Sequence, residues 1–130
     1  MNAEDFVTYE QALALKKLGF NEETFTYYDE NNPKIKGLDD FYEYHLIDYN
    51  RYSISVPTLA QAQKWLNKTK DFKLFVIPSP SDKVPYSYVA FNTTKTIYKN
   101  PPRYYSSYEE ALSDGITECL KLLENKVQNS

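Results

Sequence analysis

The sequence predicts an α+β fold: three helices packed on a mostly antiparallel sheet of four to five strands, in the order α-β-β-α-β-β-α, as a single domain over residues 1–130. Two observations carry this expectation. A helix-start signal recurs three times, at Thr8-Tyr9-Glu10-Gln11, Thr58-Leu59-Ala60-Gln61 and Ser107-Tyr108-Glu109-Glu110. Each places a hydroxyl residue three positions ahead of Glu or Gln, so side chain and backbone can satisfy each other at a helix N-terminus. The starts lie 50 and 49 residues apart. The second observation is a pair of β-rich runs, Phe72 to Ile77 and Tyr86 to Phe91, flanking the turn signal Pro78-Ser79-Pro80-Ser81-Asp82. They read as an antiparallel hairpin with a loop longer than two residues. Helices alternating with such strands describe an α+β layer.

The first helix runs from Thr8 to about Leu18, with Leu13, Leu15 and Leu18 on its apolar side and Lys16 and Lys17 outward. Gly19 supplies the left-handed residue that closes it, and Phe20 folds back on the last turn. Thr24 to Tyr28 reads as a strand, and Asp29 to Gly37, holding Asn31-Asn32-Pro33, as a loop. In Leu38 to Tyr49 two patterns compete. Leu38, Phe41, Tyr42, His45, Leu46 and Tyr49 fit a helical stripe, whereas Tyr44 and Ile47 break it; the aromatic density favours a strand. Tyr52 to Val56 is a short strand ended by Pro57. The second helix covers Thr58 to about Lys68, with Leu59, Ala62, Trp65 and Leu66 as its core side. Thr94 to Tyr98 adds an edge strand ahead of Asn100-Pro101-Pro102. The third helix runs from Ser107 to about Lys126 with a continuous apolar stripe. Gly115 lies in that stripe, which implies that another element approaches closely there, since a mid-helix glycine otherwise costs about 1 kcal/mol. Beyond the Gln-Ala and Glu-Ala pairs the three starts share little, which weighs against internal duplication.

Length and composition narrow the functional classes. A chain of 130 residues buries a core without staples. Its balance of 42% hydrophobic to 25% charged residues belongs to a globular protein, not a disordered one. No apolar run approaches the roughly 20 residues needed to span a bilayer. The segment Met1-Asn2-Ala3-Glu4-Asp5 is acidic and lacks the features of a signal peptide, so a cytoplasmic location and no membrane partner are expected. Cys119 is the sole cysteine, which excludes an intramolecular disulfide and a multi-thiolate metal site. On the apolar side of the last helix it reads as a small buried hydrophobe. The net charge of −3 repels phosphate overall. Thirteen tyrosines, within 16% aromatic content, are the compositional outlier. Tyrosine suits half-buried strand surfaces and, for the same amphipathic reason, binding surfaces.

No constellation names a reaction. Asp39, Asp40, Glu43, His45 and Asp48 are the best metal-ligating set; on a strand Asp39, Glu43 and His45 would share a face, but that face would also carry Phe41 and Ile47. A solvated acidic edge fits them better, and no metal or cofactor is expected. A nucleophilic triad would have to use His45, the only histidine, and no serine lies in a nucleophile-elbow context. Glu109 and Glu110 suit the first turn of a helix dipole. Gly19, Gly37 and Gly115 form no phosphate-cradling loop. Lys95, Lys99 and Arg103 interleave with Tyr98, Tyr104 and Tyr105, a recipe for single-strand nucleic-acid binding. The acidic total and the lack of a binding motif weigh against nucleic acid. The expectation is a non-enzymatic protein with a protein partner, held through the exposed tyrosines Tyr42, Tyr44 and Tyr49. The alternatives are a single-strand nucleic-acid binder and an enzyme of unrecognised mechanism.

The run from Phe6 to Phe20, together with Ser55-Val56-Pro57-Thr58, Gln61-Ala62, Trp65, Tyr108-Glu109-Glu110-Ala111 and Cys119-Leu120-Lys121, resembles a group of small uncharacterised proteins of phages and prophages of Bacteroides-type gut bacteria. Gly115 and the tyrosine-rich stretch from Tyr42 to Tyr52 depart from that pattern. The resemblance carries no established activity and so no functional residue. It implies a phage-derived accessory protein acting in the bacterial cytoplasm.

Overall fold

The computed structural model describes residues 3–24, 26–29, 32–36, 53–70, 72–91, 96–97 and 103–128. Helices and antiparallel strands alternate along it, so the α+β class holds. The chain divides into two compact units, Met1–Thr58 with Leu123–Ser130, and Leu59–Leu122.

In the first unit, a short 3-10 turn (Ala3–Asp5) precedes α1 (Tyr9–Lys17). The capping box at its start is complete. The Thr8 hydroxyl accepts from the Gln11 N–H at 3.2 Å, and Gln11 Oε1 accepts from the Thr8 N–H at 2.8 Å. That exchange explains why Gln11 is buried. At the other end Gly19 takes φ +100°, where a side chain is strained. The Phe20 N–H then reaches the Leu15 carbonyl at 2.9 Å and the Gly19 N–H reaches that of Lys16 at 3.1 Å, closing a Schellman motif with Phe20 buried.

Strands β1 (Tyr27–Asp29), β2 (Asn32–Lys36) and β3 (Ser53–Ser55) form an antiparallel sheet in the order β2-β1-β3. Two buried threonines tie its rim. Thr24 Oγ1 donates to the Thr26 carbonyl at 2.7 Å, and Thr26 Oγ1 to that of Val56 at 2.5 Å. The Val7 N–H bonds the Pro57 carbonyl at 3.2 Å, which brings the residues before α1 alongside those that follow β3.

In the second unit, β4 (Lys73–Pro78), β5 (Tyr86–Phe91) and β6 (Thr96–Ile97) form another antiparallel sheet, with β5 in the centre. The serines close the hairpin loop: the Ser79 N–H bonds the Pro85 carbonyl at 2.8 Å and its hydroxyl that of Val84 at 2.6 Å. Helix α2 (Leu59–Thr69) lies along the outer edge of β4. There Gln63 Nε2 donates to the Leu74 carbonyl at 2.7 Å, and the Leu74 N–H donates to Asn67 Oδ1 at 2.9 Å. Edge groups that would otherwise invite another strand are thus occupied by side-chain amides. Helix α3 (Tyr108–Gln128), which belongs to this unit as far as Leu122, starts with the Glu110 N–H on the Ser107 hydroxyl at 3.1 Å. The Glu110 carboxylate takes the Ser106 hydroxyl at 3.2 Å.

Two expectations need correction. The strands do not join in one sheet of four to five; those described divide into two sheets of three. Residues Asn32 to Lys36, read as loop, form β2. Pro33 is compatible with that strand because β2 is at the sheet edge and the register shifts beyond Tyr28, so no ladder N–H is required of it. The segment Leu38 to Tyr49 lies outside the described residues.

Gly115 meets its expectation directly. A Cβ built there would sit 2.6 Å from Leu74 Cδ1 and 3.2 Å from the Tyr88 ring, with Leu74 fully buried. We predict that Gly115→Ala destabilises by about 1 kcal/mol, the overpacking outweighing the gain in helix propensity. In a Leu74→Ala background the same change should become neutral or stabilising; urea midpoints of the double-mutant cycle read the sign reversal. Thr8→Ala should cost about 0.5–2 kcal/mol by loss of the box, measured by chemical denaturation.

Candidate functional site

The β4–β5 register sorts the hairpin into two faces. Leu74, Val76, Tyr88 and Ala90 share the inner one, and its contact with Gly115 of α3 places the helix there. The outer face carries Lys73, Phe75 and Ile77 from β4 opposite Phe91, Val89 and Ser87 from β5. Three of these are large, apolar and exposed: Phe75 at 44%, Ile77 at 38% and Phe91 at 38%. Phe75 and Phe91 are diagonal neighbours with ring centroids 6.2 Å apart. These three side chains form an apolar patch on the face of the hairpin opposite the one that meets Gly115.

Alongside the start of β5 lies a polar cluster built by residues Arg103 to Asp114. Tyr105 is held three ways. Its N–H donates to the Tyr86 carbonyl at 2.7 Å, its carbonyl accepts from the Tyr86 N–H at 3.1 Å, and its hydroxyl donates to Asp114 Oδ2. Its ring lies 6.1 Å from that of Tyr88. The Ser87 hydroxyl donates to the Arg103 carbonyl at 2.8 Å. The hydroxyl of Tyr88 is buried and finds no hydrogen-bond partner among the described residues. Burial first, then the Asp114 and Glu118 carboxylates, holds its phenol well above the usual tyrosine range. Burial and the hydrogen bond to Asp114 do the same for Tyr105. Cys119 is buried and its thiol is pushed up to about 12, by burial and then by Glu118. These groups stay protonated at neutral pH, so none is an activated nucleophile or a general base.

The sequence-derived site residues separate on the structure. Tyr42, Tyr44 and Tyr49, and the acidic set Asp39, Asp40, Glu43, His45 and Asp48, lie outside the described residues, as do Lys95, Tyr98 and Lys99. Of the basic-aromatic segment, Arg103 and Tyr104 are exposed, whereas Tyr105 is committed to Tyr86 and Asp114. No three His, Cys, Asp or Glu side chains gather for a metal ion among the described residues. No described helix is long and apolar enough to cross a membrane. The outer-face residues Phe75, Ile77 and Phe91 were not singled out by sequence reasoning. The available signal was the unbroken run Leu74-Phe75-Val76-Ile77, which lacks the alternation of a one-sided strand.

The chain matches no protein-family model, and neither a curated protein nor a solved structure is significantly similar to it.

The raised groups make stability fall at alkaline pH. An unfolded chain releases its thiol proton near 9.0 and its phenol protons near 10.0, while the native state retains them. Stability is therefore fully present below pH 9 and declines as pH rises above it. Urea midpoints between pH 7.5 and 11 should fall, less steeply in Tyr88→Phe and Cys119→Ala. Tyr88→Phe should also be at least as stable as the parent at neutral pH, because it removes a buried hydroxyl without a partner.

Proposed function

We propose that this protein acts without catalysis, as an interaction protein whose partner is another protein docked on the outer face of the β4–β5 hairpin. The observation that carries this reading is the exposed trio Phe75, Ile77 and Phe91 on a strand pair already packed on its inner side. The face is apolar at its centre and has Lys73 across from Phe91 at one end. A partner surface with apolar anchors and a carboxylate at its rim complements it. The hairpin offers its face rather than its edge, since α2 side chains hold the β4 backbone at Leu74. Tyr42, Tyr44 and Tyr49, outside the described residues, stand as a separate proposed contact set. The resemblance to phage and prophage proteins supports an accessory role in the cytoplasm of a bacterial host.

Phe75→Ser combined with Phe91→Ser tests this reading. Each side chain is exposed, so the thermal melt should stay close to the parent. Binding to a protein captured by the parent at ~150 mM salt should weaken ~30-fold, as expected when about 2 kcal/mol of anchor contacts is lost. Equal binding by parent and double variant, measured by biolayer interferometry, refutes the assignment of this face.

A further inference from the structure

A second surface meets the apolar face at Lys73 and has the opposite chemistry. From Leu59 to Lys73 the chain carries Lys64, Lys68, Lys70 and Lys73 against Asp71 alone, a local charge of +3 in a protein of net −3. Helix α2 itself contains no acidic residue. Lys64 and Lys68 lie one helical turn apart, both exposed, where like charges repel. Together with Lys73, Gln63 and Asn67 they line a recess of about 510 Å³ between α2 and β4. Among the described residues no carboxylate lines it.

The walls of the recess are fixed in place. Gln63 and Asn67 hold the Leu74 backbone, and Lys73 Nζ donates to the Asn67 carbonyl at 2.8 Å. Lys73 keeps two further N–H donors after that bond, and Asn67 has an amide nitrogen as donor besides the oxygen that serves the Leu74 N–H. Lys70 is used otherwise, with its Nζ 5.4 Å from the centre of the Trp65 ring. Three lysines and two side-chain amides therefore line one recess, and among the described residues no carboxylate joins them. The recess is open to solvent and is larger than one tetrahedral anion needs. We propose that this recess binds a ligand carrying two or more clustered phosphate groups. Ammonium groups recognise phosphate as point charges, and a clustered polyanion relieves the mutual repulsion of Lys64, Lys68 and Lys73.

The test uses the full chain and inorganic tripolyphosphate, followed by isothermal titration calorimetry at ~50 mM salt, where such contacts are least screened. Saturable one-to-one binding is expected. It should weaken at least tenfold in Lys64→Gln and in Lys68→Gln, with unchanged circular dichroism showing that the fold is intact. Lys70→Gln, on the Trp65 ring, should stay within twofold of the parent. Raising the salt to ~200 mM should weaken binding, and orthophosphate should bind more weakly than tripolyphosphate. Absence of saturable binding overturns the proposal, and so does an affinity that the Lys64 and Lys68 variants leave unchanged. A ten-residue oligothymidylate distinguishes the source of the phosphates. If it binds more tightly than tripolyphosphate and depends on the same lysines, the site belongs to a nucleic-acid backbone and the clustered-phosphate proposal fails.

Discussion

The second unit depends on one close approach, that of α3 to the β4–β5 sheet at Gly115. A helix and a sheet normally stand apart by the thickness of their interlocking side chains. Here the missing Cβ lets Leu74 and the Tyr88 ring come within reach of the helix backbone. Ala111 and Cys119, one turn to either side, are also small and fully buried. The helix therefore presents a shallow row to the sheet, and the sheet supplies the bulk. The same approach buries the Tyr88 hydroxyl beside acidic groups of α3, so tight packing and an unpaired polar atom have one cause. It also consumes the inner face of the hairpin. Whatever Phe75, Ile77 and Phe91 do, they do on the side that α3 leaves free.

Much of this framework was legible in the residues because its signals are local. All three helices begin within a residue of their hydroxyl markers, at Tyr9, Leu59 and Tyr108. Gly19 with Phe20 closed α1 by a mechanism that needs only the next two residues. Strand β5 spans Tyr86–Phe91 as its β-branched and aromatic residues indicated. Pairing was less legible because it is non-local. Nothing in the composition of Thr24 to Tyr28 says that its strand pairs with Asn32–Lys36 and Ser53–Ser55 while β4 keeps separate company. Pro33 argued for loop because proline removes a ladder donor; that argument applies to central strands and loses force at an edge.

The candidate sites were harder to read for a related reason. A binding surface is defined by what fails to be covered, and coverage is a tertiary property. Phe75 and Leu74 are adjacent apolar residues of one strand, yet one is 44% exposed and the other is fully buried. Tyr105 shows the converse. Beside Arg103 and Tyr104 it resembled a stacking residue, but its backbone and hydroxyl are spent on Tyr86 and Asp114. The lysines of the recess belong to two elements, Lys64 and Lys68 to α2 and Lys73 to β4. Only the turn from α2 into β4 brings them to one recess.

The amide of Leu74 has a consequence of its own. Its hydrogen is held by the Asn67 side chain rather than by a neighbouring strand, although Leu74 lies within a strand. Its exchange with solvent deuterium therefore reports whether α2 is seated on β4, not whether the β4–β5 ladder is intact. The amides of β4 that point towards β5 report the ladder instead. Residues adjacent along a single strand thus act as separate reporters, and the difference between their exchange rates measures how readily the helix lifts away while the sheet persists.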